Sequence, residues 1–172
     1  MISSADIKIE IQVADVLKCG ADVIVLSANP SLLAGGGLSG AIHRAAGPEL
    51  ETYSKGLAPL SPGTAVVTRF FNLNARYIIH AVCPRYFSGL DKECDLLTQN
   101  YRAALNLYDQ CSDTKSIAFA LMGTGVYRWP LFIAAKIALQ ELVTSTFDNT
   151  LMFLADEQSR LIYQRARDEM LF

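Results

Sequence analysis

A chain of 172 residues with 51% apolar and 19% charged side chains can bury about 70% of the surface its unfolded form exposes, which excludes a disordered tail, a collagen-like repeat and a disulfide-stapled miniature. Fifteen Lys and Arg against seventeen Asp and Glu give a net charge of -2, without the basic excess from which a general nucleic-acid binder draws its affinity. No run approaches the roughly 18 consecutive apolar residues of a membrane span.

Ile7, Ile9, Ile11 and Val13 alternate with polar residues and predict a strand with one buried face. Asp22 to Ala28 is a β-branched run that predicts a strand buried on both faces. Asn29 to Gly37 is a turn-rich loop, and a helical pattern runs from Leu38 to about Lys55. Thr64 to Phe70 and Arg76 to Val82 read as two strands split by the polar turn Asn72-Leu73-Asn74. Between Asp91 and Cys111, the spacing of Leu97, Tyr101, Leu105 and Tyr108 predicts a helix with one apolar stripe. Ser116 to Met122 is a fifth strand, Gly123 to Tyr127 a second glycine loop and Pro130 to Thr144 an apolar helix. Thr150 to Ala155 closes the sheet, and Asp156 to Met170 is an amphipathic helix. Strands alternating with helices predict an α/β sandwich with a largely parallel sheet, residues 1–172 forming one domain.

The start Met1-Ile2-Ser3-Ser4-Ala5-Asp6 lacks the basic and apolar regions of an export signal, so the cytoplasm is the expected compartment. Cys19, Cys83, Cys94 and Cys111 form no C-x-x-C and have no histidine at ligand spacing, so they read as reduced thiols and no metal is expected.

In open α/β sheets the ligand crevice lies beyond the carboxyl ends of the strands, and the loops Asn29–Ser39 and Gly123–Tyr127 leave such ends. Gly35-Gly36-Gly37 runs directly into a helix. Residues without a Cβ let backbone N–H groups approach an anion, and the helix N-terminus adds partial positive charge. Two such loops facing one another could grip a diphosphate without Lys or Arg. The alternative is that the glycines only make tight turns. Gly35 to Gly40 also satisfies G-x-G-x-x-G, but six residues (Asn29 to Ala34) separate it from the strand, which disfavours a dinucleotide fingerprint. No G-K-[ST] is present, so a P-loop is excluded.

The stretch D-V-I-V-L-S-A-N-P-S-L-L-A-G-G-G-L-S-G-A-I-H-R-A-A-G (22–47) closely resembles the first signature of the macrodomain family, in its MacroD-like branch. S-I-A-F-A-L-M-G-T-G-V-Y-R-W-P (116–130) resembles its second loop, with P-G-T-A-V-V-T (62–68) and Y-I-I-H-A-V-C-P (77–84) between them. The resemblance spans Ile7 to the last helix. It implies a three-layer α/β/α sandwich with a mixed, mostly parallel sheet, and a cleft for ADP-ribose or ADP-ribosylated protein. No separate cofactor, nucleic acid or membrane partner is implied, and a monomer is favoured.

Residue by residue, Asp15 matches the family Asp that accepts from the adenine amino group, with the Val16 backbone beside it. Gly35, Gly36, Gly37 and Leu38 match the loop around the distal ribose and one phosphate. Gly123, Thr124, Gly125 and Val126 match the diphosphate loop, with Tyr127 over the distal ribose. Phe153 to Asp156, including Ala155, match loosely the segment beside the adenine and proximal ribose. Asn29 matches an Asn whose amide reaches the distal ribose hydroxyls; the lesser alternative is a cap or Asx turn before Pro30. His43 and His80 match positions read as structural. Asn29, Ser39 and Tyr127 are the candidate catalytic positions.

The family pattern is broken at four places. N-A-A-N is Leu26-Ser27-Ala28-Asn29 here, Ala34 replaces the first of four glycines, and Gly123 replaces a Ser, leaving more room for a phosphate. Ser39 stands for the catalytic Asp. A serine is no base near pH 7, and losing a general base costs about 10²–10⁴-fold in rate. Some viral macrodomains lack this Asp and are still regarded as hydrolases, the water being held by a ligand phosphate. Three readings stay open: a slow hydrolase of ADP-ribosylated side chains or of O-acetyl-ADP-ribose, a non-catalytic reader, and an interaction module such as a nuclease regulator.

Overall fold

A computed structural model describes residues 9–170 of the chain. The described strands are β1 (Ile9–Val13), β2 (Val23–Ala28), β3 (Ala65–Arg69), β4 (Tyr77–Val82), β5 (Ser116–Ala120) and β6 (Asn149–Leu154), and they form one sheet in the order β1-β6-β5-β2-β4-β3. Only the β3–β4 pair is antiparallel. β2 lies between β4 (Val23 opposite Tyr77) and β5 (Val23 opposite Ile117), which is why its sequence is apolar on both faces. Asp22, just before β2, fixes this register. One of its carboxylate oxygens accepts from Lys115 N, Ser116 N and Ser116 Oγ at 2.8–3.0 Å, and its carbonyl accepts from Arg76 N at 2.7 Å.

The period-two alternation of strands sorts side chains into two cores. Val23, Val25, Ile79, Ala81, Phe119, Met152 and Leu154 pack under α3 (Asp91–Leu105), α4 (Leu131–Leu142) and α5 (Glu157–Met170). Ile24, Leu26, Ala28, Ile78, Val82 and Phe153 pack under α1 (Gly37–Ala46) and α2 (Pro48–Lys55). The result is the three-layer α/β/α sandwich with a mixed, mostly parallel sheet. Among the described residues no helix is long and apolar enough to cross a membrane.

Two expectations are corrected. The helical pattern from Leu38 to about Lys55 is two helices, because Gly47 adopts φ 93° and Pro48 has no N–H to continue the ladder. Tyr108 belongs not to α3 but to a separate 3-10 turn, Tyr108–Gln110, with its ring edge against Phe147 at 4.8 Å. Ile7 of the first predicted strand lies outside the described residues.

Candidate functional site

A cleft of about 280 Å³ opens at the carboxyl ends of β2, β5 and β6. It runs from Ser27 and Tyr127 at one end to Phe153–Ala155 and Ser159 at the other, and no charged side chain among the described residues lines it. Gly36 precedes α1 without any side-chain cap, so the first N–H groups of the helix remain free for a ligand. Gly37 takes φ 58°, where a Cβ would be strained. The loop lies close on its own helix, since a Cβ on Gly40 would stand 2.3 Å from the Gly35 carbonyl oxygen. Across the cleft, a Cβ on Gly36 would lie 3.5 Å from Val126 Cγ1, so the two glycine loops face each other.

The second loop is moored from below and from the side. Met122 N donates to the buried Tyr101 hydroxyl at 3.1 Å. Trp129 N donates to Gly123 O at 3.0 Å, and Trp129 Nε1 to Pro84 O at 2.9 Å. Tyr86 N donates to Tyr127 O at 2.9 Å, and the Tyr86 ring meets Trp129 edge-on at 5.1 Å. The Tyr127 hydroxyl donates to Ala28 O at 2.9 Å, spanning from the second loop to the end of β2. Burial pushes its phenol up.

The structure brings twelve sequence-predicted residues to the cleft wall: Gly36, Gly37, Leu38, Ser39, Gly123, Thr124, Gly125, Val126, Tyr127, Phe153, Leu154 and Ala155. Five others are engaged outside it. Asp15 caps the 3-10 turn Val16–Lys18 by accepting from Leu17 N at 3.0 Å, and Val16 is buried beneath α1. Asn29 builds an Asx turn: its Oδ1 accepts from Ser31 N and Ser31 Oγ, and its Nδ2 donates to Leu33 O at 2.8 Å. Gly35 backs that turn, with room for a Cβ 3.6 Å from Asn29 Nδ2 and 3.8 Å from Ser39 Oγ. Asp156 caps α5 through Ser159 N at 2.7 Å, and these Ser159 hydrogen bonds hold its carboxyl below the usual range.

Sequence reasoning missed Ser27, Leu131 and Ser159, and also Ala120, Leu121 and Met122 at the end of β5, which complete the wall. Ser27 left one signal, being the polar residue of a strand otherwise built of apolar ones. Two of the expected departures from the family pattern, Leu26 and Gly123, have a definite structural setting. Leu26 is fully buried in the core beneath α1 and does not touch the cleft. Gly123 has φ 87°, and a Cβ there would meet Trp129 Cδ1 at 2.5 Å, so this glycine answers the indole rather than a phosphate. Ser39 is 7% exposed, and its hydroxyl has no partner among the described residues. His43 and His80 are buried with ring centroids 6.1 Å apart, and His80 Nε2 pairs with Thr68 Oγ1 at 3.0 Å. Neither lines the cleft. All four cysteines are unpaired, and burial raises the Cys83 thiol to about 12.

Comparison with known proteins accounts for this arrangement. The Macro domain family model matches residues 25–138. The chain belongs to the macrodomain family. It is 40% identical over 170 residues to a macro domain-containing protein of Mesorhizobium japonicum, covering 96% of each chain. It is 38% identical over 167 residues to the O-acetyl-ADP-ribose deacetylase of Cronobacter turicensis, covering 92% of this chain and 94% of that one. The Oceanobacillus iheyensis macrodomain with ADP superposes with a TM-score of 0.87 at 37% identity, over 95% of this chain and 91% of that one. The Trypanosoma brucei macrodomain in complex with ADP-ribose gives 0.85 at 31% identity, over 95% and 72%.

Proposed function

We propose that this macrodomain, acting as one domain in the cytoplasm, binds ADP-ribose in the cleft between its glycine loops and slowly hydrolyses the bond at the distal ribose, releasing ADP-ribose from modified side chains or opening the ester of O-acetyl-ADP-ribose. The observation that carries the reading is a cleft lined by backbone and neutral side chains at an uncapped helix N-terminus. Such a surface offers oriented N–H donors to a diphosphate, and the helix end contributes about 0.3–1 kcal/mol. The relatives named above, a deacetylase of O-acetyl-ADP-ribose and structures with ADP and ADP-ribose, support the same ligand.

In this reading Asp15 accepts from the adenine amino group with its free oxygen. Gly123 to Val126 hold the diphosphate, and Gly35 to Leu38 hold the distal ribose and one phosphate. Ser39 orients a water or a ribose hydroxyl without acting as a base. Attack then rests on electrostatic positioning, with the ligand phosphate holding the water. A second reading, a binding module that does not turn over, is favoured by one observation: among the described residues no carboxylate or imidazole lines the cleft.

Calorimetric titration with ADP-ribose, beside Asp15→Ala, tests the site. The natural chain is expected to bind, and the variant to lose about 1 kcal/mol or more, the worth of a hydrogen bond to a charged group. Incubation with mono-ADP-ribosylated protein then separates the two readings by the ADP-ribose released. Absence of binding by the natural chain would overturn both.

A further inference from the structure

The loop between β4 and α3 carries the two most exposed large apolar side chains among those described, Phe87 at 79% and Leu90 at 68%. It is not a loose loop. Glu93, in the first turn of α3, accepts from Phe87 N and Gly89 N at 3.0 Å, from Ser88 N at 3.2 Å and from Ser88 Oγ at 2.9 Å. Those backbone hydrogen bonds hold its carboxyl down at about 2, so the clamp stays ionised at any physiological pH. Gly89 at φ 72° fits against the Tyr86 phenol, where a Cβ would stand 2.6 Å from the hydroxyl. A rigid scaffold that exposes a Phe and a Leu has already fixed their backbone, so a partner meeting them loses little further entropy.

The position of this loop says what the partner is. The cleft spans the ends of β6, β5 and β2, and the next strand in the sheet is β4. The loop leaving β4 therefore borders the Tyr127 end of the cleft, and the hydrogen bond from Tyr86 N to Tyr127 O joins the two directly. Arg85, exposed and without an ion pair among the described residues, lies near enough to the Tyr127 phenol for its charge to oppose the upward push of burial. Val126, 57% exposed on the same rim, extends the apolar surface.

We infer that Arg85, Phe87 and Leu90 form a docking surface for the polypeptide that carries the ADP-ribose, a segment with an apolar side chain for Phe87 and Leu90 and an acidic one for Arg85. This rests on the proposed function, together with the resemblance that sets Tyr127 over the distal ribose and so the attached chain at that end.

The test compares two ligands, free ADP-ribose and an acidic, apolar-flanked peptide bearing one ADP-ribose, on the natural chain, on Phe87→Ala/Leu90→Ala and on Arg85→Gln. Exposed side chains can be truncated without unfolding the protein. The double variant is expected to bind the peptide about tenfold more weakly, the scale of an interface anchor, and to keep its affinity for free ADP-ribose within about twofold. Arg85→Gln is expected to flatten the salt dependence of peptide binding. Unchanged peptide affinity, or equal weakening of both ligands, would overturn the docking surface while leaving the cleft assignment standing. A dimer of the natural chain that the double variant dissolves would overturn it in favour of a second copy. Failure of the natural chain to bind free ADP-ribose would remove the cleft reading and this one together.

Discussion

Ser39 holds a hydroxyl that is almost wholly buried and unpartnered among the described residues. A buried hydroxyl left unsatisfied costs about 1–3 kcal/mol, and Ser39 lies on the cleft wall. Ser39→Asp would replace it with a carboxylate in the first turn of α1, where the helix end stabilises negative charge. The expected result is a rise of about 10²–10⁴ in hydrolytic rate, the usual worth of a general base, with ADP-ribose affinity changed no more than a few-fold. Single-turnover release of ADP-ribose from a mono-ADP-ribosylated protein measures it. Comparable rates in the two proteins would show that the natural chain already works by positioning alone, and would exclude the binding-module reading.

At the scale of elements, α1 and the loop before it fold against each other through Gly40. Alanine there would gain about 1 kcal/mol in helix propensity. Its Cβ, however, would stand 2.3 Å from the Gly35 carbonyl oxygen, which belongs to the backbone and cannot swing aside. Overpacking costs typically 1–3 kcal/mol, so the net effect of Gly40→Ala is a destabilisation of up to about 2 kcal/mol, with Tm lowered by up to about 8 °C and ADP-ribose binding weakened. A rise in Tm on thermal denaturation would refute this. The glycine loops were legible in the sequence because glycine runs after apolar strands leave a strong local signal, and both lie on the cleft wall. Ser27, Leu131 and Ser159 were less legible, since the cleft gathers them from a strand, a helix start and the beginning of α5 that lie far apart in sequence. The reverse held for Asn29, whose simple Asx-turn reading is what its hydrogen bonds show. The break at Gly47-Pro48 was visible as residues but masked by the helical periodicity on either side.

Across the whole molecule, the two cores share one sheet, and the polar atoms trapped in it link folding to pH. His80 on β4 is fully buried, and burial lowers its pKa to about 3, aided by the neighbouring His43. Burial also lowers His43, with Glu51 opposing. The sign follows from proton uptake. Between pH 6.5 and about 3 the unfolded chain binds a proton at His80 that the folded chain refuses, so stability must fall as pH drops through this window. The carboxylates held low, Asp22, Glu93, Asp156 and Glu157, act lower still: their stabilisation is present above the ordinary carboxylate range and is lost only as pH falls through it. Between pH 6.5 and 5 the slope therefore belongs mainly to the two histidines, the only ones in the chain. Urea unfolding is expected to show a loss of about 2 kcal/mol over that interval, and His80→Gln should remove most of the slope whatever it does to the absolute stability. If the slope survived in His80→Gln, it would belong to His43, whose pKa burial also lowers, and not to His80.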